Sequence, residues 1–178
     1  MTKKVLLLAM FVGAPAFAQA PSGGASTGVG AAKATWSTMV GYFTTAAEQM
    51  PEADYAFKPV ETVRTFGQMV GHLAGAQNMM CAAALGETPK SEDDIEKSVT
   101  TKAGLVAALK ASNEYCARAY GISDADAAGN TKLFGQDMSK MFSLSLNAAH
   151  AGEHYGNLVT YMRIKGMVPP SSQPRPGQ

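Results

Sequence analysis

Charge is scarce in this chain. Lys, Arg, Asp and Glu together make up 16% of its 178 residues, and the net charge is +1. Nucleic acids are held through clusters of phosphate-facing Lys and Arg, and no such cluster is present, so the sequence supports no nucleic-acid partner. Long apolar runs are missing as well. The longest, "VLLLAMFVGAPAF" at 5–17, is too short for a bilayer span and is interrupted by Gly13 and Pro15. No alternation of apolar and polar residues marks a strand, and no period marks a repeat. Cysteine is limited to Cys81 and Cys116, far apart and neither beside a histidine, which argues against a catalytic or metal-binding cysteine pair. Histidine occurs only three times, at 72, 150 and 154.

What is present is apolar. Hydrophobic residues reach 46%, enough for one domain with a real core, in a chain too short for two comfortable ones. The eleven methionines fall mostly in helical stretches, where they serve as adaptable core filler.

Residues 1–18 read as an address. Lys3 and Lys4 precede the apolar run, and Ala16-Phe17-Ala18 is a small-x-small cleavage site before Gln19. A cleaved signal peptide predicts a periplasmic or secreted protein, with no membrane association after cleavage. No cysteine follows the cleavage site to carry a lipid. Export leaves two readings of Cys81 and Cys116: small buried core residues, or a disulfide stapling two helices across a loop.

Residues 19–32 are small and uncharged, and a disordered lead-in is expected over 19–33. A helical domain is expected over 34–170. Its first helix, from about Ala34 to Met50, carries Trp36, Met39, Val40, Phe43 and Ala47 at three- and four-residue spacing, and Pro51 ends it. "PEADYAFKPVETVR" predicts an ordered loop with aromatic anchors. Thr65 and Gln68 form a capping box at the start of a second helix, which runs to about Leu85 and stops at Gly86 and Pro89. The acids of "KSEDDIEK" (Asp93, Asp94, Glu96) lack the ligand spacing of a calcium loop and read as a solvated turn and helix start. A third helix is expected over about Lys102 to Ala119, and a long connection, "GISDADAAGNTKLFGQ", follows. The last helix is expected from about Asp137 to Lys165, closed by Gly166 and "MVPP", with a mobile tail at 171–178. The fold class is all-α: a four-helix bundle with a long crossover connection.

His150 and His154, at i and i+4, stand about 40° and about 6 Å apart on a helix. They share a face with Leu146, Asn147, Leu158 and Tyr161, and this is the spacing at which two imidazoles chelate one metal. His72 lies on an apolar face of another helix, beside Gln68, Met69, Ala76 and Met79. A lone histidine on such a face is commonly a hydrogen-bonded core residue. Three histidines on inward faces, with Gly71, Gly75 and Gly152 leaving space beside them, can instead complete a three-nitrogen site with an open position. "HAGEH" also matches H-x-x-E-H, the zinc-protease pattern in which Glu153 is the general base. That pattern needs a further ligand downstream, and no Asp, Glu, His or Cys follows His154. Glu153 is left as a candidate catalytic base or an exposed carboxylate. Asn147, Gln68 and Tyr155 are candidates for orienting the imidazoles, and Glu48 for an acid facing the site.

The helix "TFGQMVGHLAGAQ", the final helix "HAGEHYGNLVTYMRIKGMVPP" and the "MPEADYAFKP" loop together resemble the DinB-like (YfiT-like) metal-binding four-helix-bundle family, over about Trp36 to Pro170. That family holds a metal with one histidine from its second helix and two from its last, which by position are His72, His150 and His154. The resemblance implies a divalent metal, zinc or nickel first, with manganese or iron as further options. Characterised relatives include thiol-dependent transferases and an isomerase, while the export signal argues against a cytosolic thiol as cosubstrate. The expected function is therefore a metal-dependent hydrolase or transferase acting on a small molecule, or alternatively a non-catalytic exported metal-binding or stress-related bundle. Bundles of this kind often form homodimers through helix faces, although no clean apolar stripe marks such a face.

Overall fold

The computed structural model describes residues 28–174. Helix α1 spans Gly28–Gln49 and buries Trp36, Val40, Phe43, Ala46 and Ala47. It begins ahead of the expected Ala34. The Val29 amide donates to Asp124 Oδ1 at 2.7 Å and the Val29 side chain is buried, so a residue distant in sequence caps a start that local composition does not mark. Residues 28–33, expected within a disordered lead-in, are helical. The rest of the lead-in and the expected signal peptide lie outside the described residues.

The loop after Pro51 is pinned by its aromatics, as expected. The Tyr55 hydroxyl donates to the Ala47 carbonyl, and Phe57 meets Tyr161 edge-on at 5.9 Å. Helix α2 (Phe66–Leu85) starts at the Thr65–Gln68 capping box and ends at Gly86. It is buried on nearly every side, the mark of a central helix. A short α3 (Asp94–Ser98) and then α4 (Lys102–Ala119) follow.

The long connection contains a short helix, α5 (Asp124–Ala127), and two strands, β1 (Asn130–Leu133) and β2 (Gln136–Ser139). The strands pair antiparallel, with Asn130 opposite Ser139 and Leu133 opposite Gln136. No strand was expected. Four residues a side is too short for alternation to register, and only the tip, Phe134-Gly135 with φ of 52° and 75°, carries the signature of a two-residue hairpin. Residues 137–139 are used by β2, so the last helix, α6, runs Lys140–Ile164 with Ser139 as its cap.

Helix α1 lies along α6, α4 along α2, and α2 against α6. The four long helices close a ring in the order α1, α6, α2, α4, with a thinner contact between α1 and α4. The expected crossover at 120–139 spans one diagonal, and 50–65 spans the other. Cys81 and Cys116 form a disulfide between α2 and α4, with Cα atoms 5.3 Å apart. A buried polar chain ties in α1: Trp36 Nε1 donates to Gln77 Oε1 at 2.6 Å, and Gln77 Nε2 donates to Asn113 Oδ1 at 2.9 Å. The start of the expected mobile tail is held, because the Ser171 amide donates to the Tyr155 hydroxyl at 2.8 Å. Residues 175–178 lie outside the described residues.

Candidate metal centre

The α2–α6 contact brings the three histidines together. His150 and His154 lie one turn apart on α6, their Nε2 atoms 2.9 Å from each other. The His72 ring, from α2, has its centroid 5.2 Å from His150 and 4.9 Å from His154. One ring nitrogen from each lies within 4.8 Å of the others. His72 and His154 are buried and His150 is half-buried.

Burial keeps these rings uncharged. It pushes His72 down to about 4, helped by the Arg64 cation and by His150, against a smaller pull from Asp93. It pushes His154 down to about 3, with His150, His72 and Arg64 adding to the effect. His150 is lowered by burial too, while the Glu153 carboxylate acts the other way. Neutral imidazoles with free lone pairs are the form that ligates metals. On a tetrahedral zinc two imidazole nitrogens stand roughly 3.3 Å apart, so the 2.9 Å between the α6 pair needs only a small opening. The residues fit a divalent cation held by nitrogen ligands.

A groove of about 660 Å³ reaches His154 and is lined among others by Lys58, Arg64, Gln68, Glu96 and Glu153. Its polar lining suits a polar ligand. Glu153 is exposed on its edge. Gln68 lines it while its side chain is engaged in the capping box.

The remaining candidates stand elsewhere. Asn147 is fully buried, donating to the Tyr120 hydroxyl at 3.2 Å beside the disulfide. Tyr155 stacks on Tyr42 and bonds Ser171. Glu48 pairs with Lys110 at 2.6 Å and does not line the groove. All three serve the scaffold.

Sequence reasoning missed Arg64 and Glu96. Glu96, expected in a solvated turn, has a side chain only 14% exposed, and its Oε2 lies 3.6 Å from His72 Nδ1. A signal for it existed in Gly71 and Gly75, one turn apart around His72. They leave no space for an ion. A Cβ at Gly71 would stand 2.8 Å from Glu96 Cα, and one at Gly75 would run into the Glu92 carbonyl oxygen. Paired glycines one turn apart mark a close backbone approach, here that of the connector carrying Glu96.

No curated protein matches the chain. Among solved structures, a DinB-like protein from Bacillus cereus ATCC 10987 is similar with a TM-score of 0.67 at 15% identity, over 78% of this chain and 93% of that one. A DinB-like protein from Bacillus subtilis (YjoA) gives 0.55 at 18% identity, over 82% and 99%. A variant of the mycothiol-dependent maleylpyruvate isomerase gives 0.59 at 13% identity, over 74% of this chain and 59% of that one. At these identities the likeness is one of fold, and it is a likeness to DinB-like helical bundles. The model of the DinB superfamily matches residues 35–158, most of the bundle and all three histidines, and on that match the chain belongs to the DinB superfamily.

Proposed function

We propose that this is an exported, metal-dependent enzyme of hydrolase or transferase type, acting on a small polar molecule at His72, His150 and His154. The observation that carries the reading is the convergence of three neutral imidazoles from two helices, one of which, His154, lines a polar groove. A divalent cation held there supplies Lewis acidity, which polarises a carbonyl or lowers the pKa of a water or thiol. The chain's own residues do the rest. The three rings fix the cation's position and add no negative charge to it. Glu153, on the groove edge, accepts a proton at its carboxylate. Arg64 and Lys58 give the groove cationic walls, although each is paired with a carboxylate, Glu96 and Glu61 respectively.

Export rests on the sequence of residues 1–18, and the Cys81–Cys116 disulfide is in keeping with an oxidising compartment. The fold neighbour that is a mycothiol-dependent isomerase supports keeping thiols among the nucleophiles tested. The test is the metal content of the purified chain, by plasma mass spectrometry, beside His72→Ala and His150→Ala. About one equivalent is expected in the parent and a large loss in each variant. Metal that is substoichiometric and indifferent to both substitutions would sink the shared site. With metal bound, turnover in a panel of esters, amides and thiol-transfer substrates separates the enzyme from a non-catalytic metal binder, which turns over none.

A further inference from the structure

Resting on the three-histidine reading, the strongest unexplained feature is the carboxylate next to His72. A histidine that gives one ring nitrogen to a metal keeps a proton on the other, and when buried that N–H needs an acceptor. His72 Nδ1 is buried with no hydrogen-bond partner among the described residues. The carboxylate beside it is Glu96, with Oε2 at 3.6 Å. That is a few tenths of an ångström longer than a hydrogen bond, a gap that a side-chain turn would have to close.

Glu96 is itself held. Arg64 Nε donates to both of its oxygens, at 3.1 and 3.0 Å. The Arg64 carbonyl accepts from the Tyr161 hydroxyl of α6 at 2.8 Å. The anchor of this carboxylate is thus tied to the helix that carries the other two histidines. Its backbone is seated on Gly71 and its connector on Gly75. Asp93, the other acid near His72, is more exposed and bonded to Lys97 at 2.7 Å. His72, Asp93 and Glu96 also lie within reach of a single ion. Both of those carboxylates, however, are already neutralised by a cation of the chain.

We propose that Glu96 is a positioning residue of the metal centre: its carboxylate accepts the Nδ1 proton of His72, fixing the tautomer that frees the other ring nitrogen for the metal, and Arg64 holds that carboxylate in place. Outer partners of this kind hold ring orientation and raise ligand basicity.

The test measures zinc affinity by chelator competition for the full chain, Glu96→Leu and Glu96→Gln, with the His72 tautomer read by long-range proton–nitrogen correlation. Glu96→Leu is expected to bind zinc about 10–100-fold more weakly, and Glu96→Gln by a smaller factor because its amide oxygen still accepts. In the zinc-loaded parent His72 should carry its proton on Nδ1, with a resonance that moves in both variants. Equal affinity in all three proteins overturns the proposal. So does a second zinc equivalent in the parent that Glu96→Leu removes, since Glu96 would then be a ligand. If Glu96→Leu loses its helical dichroism, Glu96→Gln decides: unchanged affinity with an unmoved His72 resonance overturns it. A parent chain that binds no zinc overturns the metal reading and this proposal with it, whereas zinc binding indifferent to Glu96 leaves the metal reading standing.

Discussion

Glu153 and His154 are neighbours in sequence, and the helix gives them separate tasks. One residue is 100° of helix rotation, so while His154 turns inward and is buried, Glu153 stays exposed on the groove edge. It can take up a proton there without joining the ligand set. Glu153→Gln keeps the size of the side chain and removes its basicity, so its expected effect is on turnover alone. Zinc content should stay at the parent value, and turnover of whichever ester, amide or thiol-transfer substrate the parent accepts should fall about 10²-fold or more. His154→Gln should instead lose the metal. Measuring metal and rate on the same two preparations separates the roles, and loss of zinc from Glu153→Gln would place that carboxylate among the ligands. The pattern "HAGEH" shows both residue types, but alone it does not show which of them turns inward. The buried Asn147, Leu158 and Tyr161 mark the inner side of α6, and the contact with His72 shows that the two histidines meet a third there.

At the scale of elements, close approach matters more than propensity. Glycine inside a helix ordinarily costs about 0.5–1 kcal/mol relative to alanine. Gly156 is exposed in the middle of α6, and a methyl group added there would meet nothing within 4 Å. Gly156→Ala should therefore raise stability by about 0.5–1 kcal/mol. Gly75→Ala should do the reverse, since its methyl would collide with the Glu92 carbonyl oxygen. Backbone there must move, at about 1–3 kcal/mol, and the connector that moves carries Glu96. Thermal melts of the two variants should shift in opposite directions, and only Gly75→Ala should weaken zinc binding. The same contrast explains what could be read from the sequence. The capping box of α2, the span of α4 and the histidine spacing on α6 are written in neighbouring residues, and all three were legible. The start of α1 was not, because its cap is Asp124, far along the chain. Glu96 was not, because a half-buried acid and a solvated one look alike in "KSEDDIEK". The hairpin left only Phe134-Gly135 as a trace.

For the whole molecule, α2 is the member to which everything else is fastened. The disulfide joins it to α4, Gln77 bonds it to α1 and α4, and the histidine site joins it to α6. Two of these fastenings can be undone from outside. The disulfide closes a loop with a sequence separation of 35, and in the chain-entropy account a loop of that size stabilises by about 3–4 kcal/mol. Replacing both cysteines by alanine should lower the melting temperature by about 10 °C, at about 2–4 °C per kcal/mol for a domain of this length. On the proposed metal reading, zinc bound only by the folded state would add about 2.7 kcal/mol when its free concentration is 100 times the dissociation constant, and a chelator would remove that contribution. His72 and Cys81 are roughly 13 Å apart along α2, beyond the range at which separate perturbations usually interfere. The two losses should therefore add, to within about 0.5 kcal/mol, when the cysteine-free chain is melted with and without chelator. A shortfall well beyond that margin would mean that the disulfide helps to hold His72 against α6, coupling the staple at Cys81 to the histidine site about two to three turns away along α2.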